Sequence, residues 1–194
     1  PREEHLRVRS AAGLFDIDHM GRFQISGPAA LDFLQRVQTW DAASLAPGRA
    51  HYSMLCRESG GIIDDLFIYR LADRWLMVVN ASNTEKALSW LESHAKGFDA
   101  AIRDISAETC MGALQGPASR AILQGLTAVD LSTVGHHRVI EGMVAGVPSI
   151  MCSSGYTGEP GWEILVPADK GVATWEALLA RGAGSGLIPC GLAA

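Results

Sequence analysis

Hydrophobic and polar positions fall into two similar runs along the chain. In the first, period-two alternation predicts a strand from Met20 to Ile25. Gly27-Pro28 interrupts it, and proline suits a first helical position because the N–H it lacks has no partner there. Leu31 and Leu34 then mark the inward face of a short amphipathic helix. Further β segments follow at Arg49 to Leu55, Ile62 to Leu71 and Trp75 to Asn80, with Ala72-Asp73-Arg74 as the turn between the last two. A helix over Thr84 to His94 closes the run. The second run has the same order: a strand over Thr109 to Leu114, a Gly116-Pro117 break, and a helix with Ile122 and Leu123 inward. β segments at Arg138 to Ala145, Val147 to Cys152 and Trp162 to Val166 come next, then a helix over Lys170 to Ala180.

A sequence echo accompanies the pattern. Gly27-Pro28-Ala29 and Leu34-Gln35 recur as Gly116-Pro117-Ala118 and Leu123-Gln124, with one offset across all the matched positions. Val79-Asn80-Ala81 and Val166-Pro167-Ala168 keep the same order at nearly the same offset. This indicates a duplicated unit. Strands with interspersed helices and short hairpin links predict an α+β fold of two related units with antiparallel sheets and packed helices, not a doubly wound parallel sheet. The expected units are residues 1–100 and 101–194, with a soft boundary near 96–106. No Pro/Ser-rich linker separates them, so they are expected to pack together.

Composition narrows the function classes. The 194 residues are 48% hydrophobic and 19% charged, a globular balance with enough chain to bury a core unaided. A net charge of −5 without a basic block argues against nucleic acid or an anionic membrane as the main partner. No apolar run reaches the ~20 residues that span a bilayer. Cys56, Cys110, Cys152 and Cys190 form no C-x-x-C pair and no zinc-type cluster. Free thiols in a reducing compartment, and hence a cytoplasmic location, are expected. Pro1 is neither an initiator methionine nor the start of a signal peptide, so the chain is expected to begin inside a longer one.

Two motifs concentrate chemistry. Gly60-Gly61-Ile62-Ile63-Asp64-Asp65-Leu66 places adjacent carboxylates at the mouth of an apolar strand, where Asp is disfavoured. Alternation sends their side chains to opposite faces. The residues alone leave two arrangements open: one Asp faces a cavity while the other caps a turn or meets solvent, or both are exposed beyond a turn. Gly155-Tyr156-Thr157-Gly158-Glu159-Pro160-Gly161-Trp162-Glu163 is a preset loop leading into a strand. Glu163 enters the apolar run Ile164-Leu165-Val166 and needs a partner there. An aminopyrimidine-type ring offers two adjacent N–H donors that one carboxylate can accept; solvent or an arginine is the plainer alternative. Weaker candidates are the Asp16-Ile17-Asp18-His19 cluster, Tyr52 and Met54 as core or pocket wall, and Ser82 or Asn83 as a helix N-cap.

Leu14-Phe15-Asp16 through His19-Met20-Gly21-Arg22 resembles an N-terminal signature of the glycine-cleavage T-protein (aminomethyltransferase) family. So do Tyr52, Gly60 to Leu66, Val78-Val79-Asn80-Ala81, Leu114-Gln115-Gly116-Pro117 and Gly155 to Glu163, in family order over nearly the whole chain. Pro189-Cys190-Gly191-Leu192-Ala193-Ala194 looks like the start of a further family motif. The resemblance implies a three-domain cloverleaf around tetrahydrofolate, of which these are the first two domains; a barrel-like C-terminal domain would follow. It implies transfer of an aminomethyl carbon from the lipoyl arm of H-protein to tetrahydrofolate, with release of ammonia. By the same resemblance Asp65 matches the essential aspartate and Glu163 the pterin-holding glutamate. Tyr52, Asn80 and Tyr156 match pocket-lining positions. A folate-dependent demethylase, the folate domain of a sarcosine- or dimethylglycine-oxidising enzyme, and a non-catalytic folate-binding protein of iron–sulfur cluster maintenance are the competing readings. The last carries a lysine-glycine-cysteine-tyrosine segment that is missing here.

Overall fold

The computed structural model describes residues 1–194. In chain order the elements are α1 (Arg2–Ser10), β1 (Ala12–Asp16), β2 (Gly21–Ser26), α2 (Ala30–Val37), β3 (Arg49–Cys56), β4 (Ile62–Arg70), β5 (Trp75–Val79) and α3 (Thr84–His94). They continue with β6 (Ala101–Asp104), β7 (Thr109–Gln115), α4 (Ser119–Gln124), β8 (Val139–Val144), β9 (Val147–Cys152), β10 (Gly161–Pro167), α5 (Gly171–Gly182) and β11 (Leu187–Cys190). The architecture is α+β, as the alternating pattern predicts. No helix is long and apolar enough to cross a membrane.

The chain divides into two units, one formed by residues 19–107 and the other by residues 1–18 together with 108–194. The first holds a five-stranded sheet in the order β3-β4-β5-β2-β6, antiparallel throughout. Alternation along β4 sends Leu66 and Ile68 to one face, where they join Met77, Val79, Phe23 and Ile25 of the neighbouring strands. α2 and α3 cover this face with Phe33, Leu34, Val37, Ala87 and Leu91. Phe33 is fully buried there, and its truncation to alanine is expected to cost on the order of 3–5 kcal/mol.

The second unit holds a six-stranded sheet in the order β11-β1-β7-β10-β9-β8. Its pairs are antiparallel except β1 with β11, which run parallel. Leu14, Leu114 and Trp162 lie side by side across three strands and pack with Ile122, Leu123 and Leu178. The next row across the same strands, Phe15, Ala113 and Glu163, faces the other way.

The duplication is visible strand by strand. The order β3-β4-β5-β2 in one sheet repeats as β8-β9-β10-β7 in the other. Gly27 and Gly116 occupy equivalent corners at φ 109° and 123°. A Cβ on Gly27 would strike the Asp99 carbonyl, and one on Gly116 the carbonyls of Val8 and Ala11. Both corners end the same way, with Ala29 N donating to Asp99 O at 3.0 Å and Ala118 N to Ala11 O at 2.9 Å. Asp41 and Asp130, related by the same offset, each cap a 3₁₀ turn by accepting from the backbone N–H two residues on.

The division departs from a split between residues 100 and 101 in two places. β6 completes the first sheet beside β2. Residues 1–18 join the second unit, because β1 pairs with β7 on one side and β11 on the other. Both sets of pairing are long-range, and local patterning carries no sign of them.

Candidate functional site

The two aspartates of β4 part as the pleat requires. Asp64 opposes Leu55 of β3 and is only 2% exposed. Its carboxylate accepts from the Asn80 backbone N–H at 2.9 Å, the Asn80 side-chain amide at 3.0 Å and the Asn83 side-chain amide at 2.5 Å. A buried carboxylate with three donors is a structural anchor, here tying the end of β5 to β4. The arrangement with both aspartates exposed is therefore ruled out. Asn83 does stand at the N-cap position of α3, but its side chain makes no cap hydrogen bond. The amide is committed to Asp64 instead, which corrects its expected role as a cap.

Asp65 points to the other face and is partly exposed. The Asn80 amide donates to both its side-chain oxygen and its carbonyl at 3.0 Å. One asparagine thus fixes both carboxylates of the pair. Tyr52, 46% exposed, stands on the same face of β3 and hydrogen-bonds Asp65. Partial burial first, then the Asp65 charge and that hydrogen bond, then Asp64, push the Tyr52 phenol above its ordinary value. Phe67 meets Tyr52 edge-on at 6.1 Å and stacks with Tyr69 at 5.7 Å. Of these rings Tyr52 is exposed, Phe67 half-buried and Tyr69 buried, so the first two border the accessible carboxylate as a wall suited to a flat ligand.

In the second unit Glu163 sits within β10 between Ala113 of β7 and Cys152 of β9, 7% exposed. The Ser154 hydroxyl donates to its Oε2 at 2.5 Å. The loop before β10 is built around Gln115, which is almost fully buried. Its amide donates to Ser154 O at 3.0 Å and accepts from the Thr157 hydroxyl at 2.9 Å. A Cβ at Gly155 or Gly161 would overlap this amide. Gly116 N and the Ser119 hydroxyl both donate to Pro160 O, at 2.8 and 3.1 Å. Arg9 pairs with Glu159 at 3.0 Å. Tyr156, at the tip of this fixed loop, is 71% exposed.

Asp64, Asp65, Tyr52 and Asn80 form one cluster in the unit of residues 19–107. Glu163 and Tyr156 belong to the other unit. Ser154 and Gln115 are participants that patterning did not single out, and Asn83 was expected only as a helix cap. Gln115 lies inside the quoted Leu114-Gln115-Gly116-Pro117 segment, where a polar residue ending an apolar strand was the available signal. The Asp16–Asp18 cluster is local bracing: Asp16 accepts from Asp18 N at 2.9 Å and Asp18 from Met111 N at 3.2 Å.

Comparison with known proteins gives consistent findings. A family model described as GCVT N-terminal domain matches residues 1–194. A curated protein of Geobacillus thermodenitrificans named aminomethyltransferase is 48% identical over 195 residues, covering 100% of this chain and 53% of that protein. The crystal structure of glycine cleavage system aminomethyltransferase T from Bartonella henselae superposes with a TM-score of 0.89 at 36% identity, covering 98% of this chain and 51% of that one. Heterotetrameric sarcosine oxidase from Corynebacterium sp. U-96 shares the fold, with a TM-score of 0.67 at 19% identity over 92% of this chain and 87% of that one. The chain spans about half the length of the curated relatives it matches.

Proposed function

The chain belongs to the GCVT N-terminal domain family, and from that premise we propose that the whole protein is an aminomethyltransferase moving a one-carbon unit from aminomethyl-lipoyl H-protein to tetrahydrofolate with release of ammonia. Relatives named aminomethyltransferase at close to half identity support this reading. The observation that carries it to the residue level is the asymmetry of the aspartate pair. Asp64 is buried and held by three donors, whereas Asp65 is accessible and held in one orientation by Asn80. Of two adjacent carboxylates, only one is presented for chemistry.

Asp65 orients folate N5 towards the incoming carbon and stabilises the positive charge that develops as ammonia departs, since a fixed carboxylate beside a developing cation is electrostatic catalysis. Asn80 is a positioning residue for Asp65, and Tyr52 borders it. Glu163 accepts the adjacent N–H donors of the pterin ring, which turns binding energy into orientation. Tyr156 contributes a ring at the loop tip.

Ammonia release by the full-length protein, supplied with aminomethylated H-protein and tetrahydrofolate, tests the activity; none from the wild-type protein overturns it. In the same assay Asp65→Asn is expected to lower kcat on the order of 10²–10³-fold with little change in folate Kd. Glu163→Ala is expected to weaken folate binding on the order of 10- to 100-fold, with the smaller effect on kcat. Undiminished turnover in Asp65→Asn removes that residue from the chemistry.

A further inference from the structure

Two serines follow β9 and turn to different partners. Ser153 serves the preceding loop: its hydroxyl donates to Gly135 O at 2.6 Å and accepts from Arg138 N at 3.0 Å. Ser154 turns towards β10. Its N–H donates to Cys152 O at 3.0 Å, a tight reversal of the chain. Cys152 is the β9 residue in register with Glu163, so the reversal brings the Ser154 hydroxyl onto Glu163 Oε2 at 2.5 Å. That separation is typical of an O–H donor on an ionised carboxylate.

Ser154 is itself held from behind. The buried Gln115 amide donates to Ser154 O at 3.0 Å and accepts from the Thr157 hydroxyl at 2.9 Å. A side chain at Gly155 or Gly161 would displace that amide. A continuous run of contacts therefore leads from the glycine loop through Gln115 and Ser154 to one oxygen of Glu163. Ser154 and Glu163 are both buried.

The last torsion of a glutamate has a broad preference, so rotation of its carboxylate plane is weakly restrained by the side chain itself. A fixed donor on one oxygen supplies the restraint. Two parallel N–H donors fit a carboxylate only when they lie near its plane, whereas one donor tolerates a wide range of tilts. We propose that Ser154 is a positioning residue that sets the plane of the Glu163 carboxylate, and so selects a ring edge with two adjacent N–H donors over an edge with one. This inference rests on Glu163 holding the pterin ring.

The test measures calorimetric binding of tetrahydrofolate and of its 2-desamino analogue, which keeps one of the two N–H donors, to the full-length protein, together with kcat. Ser154→Ala is expected to raise the tetrahydrofolate Kd about ten-fold or more, while the analogue's Kd moves less than about two-fold. Retained affinity for the analogue also shows that the variant is folded. At saturating folate kcat is expected to stay near the wild-type value. Ser154→Thr, which keeps the hydroxyl, is expected to restore most of the selectivity. In a Glu163→Ala background Ser154→Ala is expected to add no further loss. Equal weakening of both ligands in Ser154→Ala marks a packing role and overturns the proposal, as does unchanged selectivity or a full additional loss in the Glu163→Ala background. Wild-type tetrahydrofolate affinity in Glu163→Ala alone is the separate result that removes the glutamate assignment, and this inference with it.

Discussion

Asn80→Ala isolates the residue that holds both aspartates. The Asn80 side-chain amide lies 3.0 Å from Asp64 Oδ1, Asp65 O and Asp65 Oδ1. Its two protons are shared among three acceptors, two of them carboxylate oxygens. Removing it therefore deletes about two hydrogen bonds to charged or polar acceptors, each worth roughly 1–2 kcal/mol net in this setting. Asp64 keeps the Asn80 backbone N–H and the Asn83 amide, so its charge is not left bare. The expected loss is about 2–4 kcal/mol, or roughly 3–8 °C in the Tm of a protein about twice this chain's length, where the shift per kcal/mol falls below the ~2–4 °C of a 150–250-residue chain. Differential scanning calorimetry of the full-length protein measures it. Asn80→Asp is the decisive companion: it keeps the volume, but turns an acceptor towards two carboxylates, and is expected to melt lower still. An Asn80→Ala protein melting within about 1 °C of wild type, or an Asn80→Asp protein melting no lower than the alanine variant, refutes the role given to this amide.

The remaining predictions concern the loop, the phenol and a 3₁₀ cap. Gly161→Ala would drive its Cβ into the Gln115 amide and is expected to destabilise by about 1–3 kcal/mol; combined with Gln115→Ala, the loss in denaturant unfolding should be less than the sum of the two. The Tyr52 phenol, raised by partial burial and then by Asp65, should titrate above 10 by absorbance at alkaline pH, and Asp65→Asn should bring it down without fully restoring it. Because its folded pKa is the higher one, its contribution to stability is present below the ordinary phenol value and disappears as pH rises through the raised value. Asp130 is lowered by hydrogen bonds from Ser132. Its contribution is present above the ordinary carboxylate range and is lost as pH falls through the depressed value, so Asp130→Asn should flatten the acid limb of a Tm-versus-pH curve.

Local patterning recovered much of both sheets. The strands β3, β4, β5, β9 and β10, read from alternation or from short apolar runs, lie within a residue or two of their predicted limits, and α3 spans Thr84–His94 as expected. The elements it missed share a cause. α1 is mostly polar and buries only Val8, β6 is a mostly exposed edge strand, and β1 and β11 find their partners far along the chain. The opposite facing of Asp64 and Asp65 follows from the pleat and was legible. Which of them is buried was not, because that depends on where Asn80 and Asn83 fall after β5 returns alongside β4. Ser154 was equally hidden, since its link to Glu163 depends on the β9–β10 pairing and the intervening loop.

The discontinuous unit sets an order of events on the ribosome. Residues 19–107 form one uninterrupted stretch, and their sheet can assemble as soon as they have left the exit tunnel. β1 emerges earlier, yet it must wait for β7 and then β11 before both its edges are paired. At ~5–20 residues per second, synthesis of residues 108–190 takes roughly 4–17 s, during which the apolar strand Ala12–Asp16 has no complete partner set. Nascent chains arrested shortly before Leu187 should therefore protect the middle of the protein from protease while leaving the N-terminal segment open to cleavage.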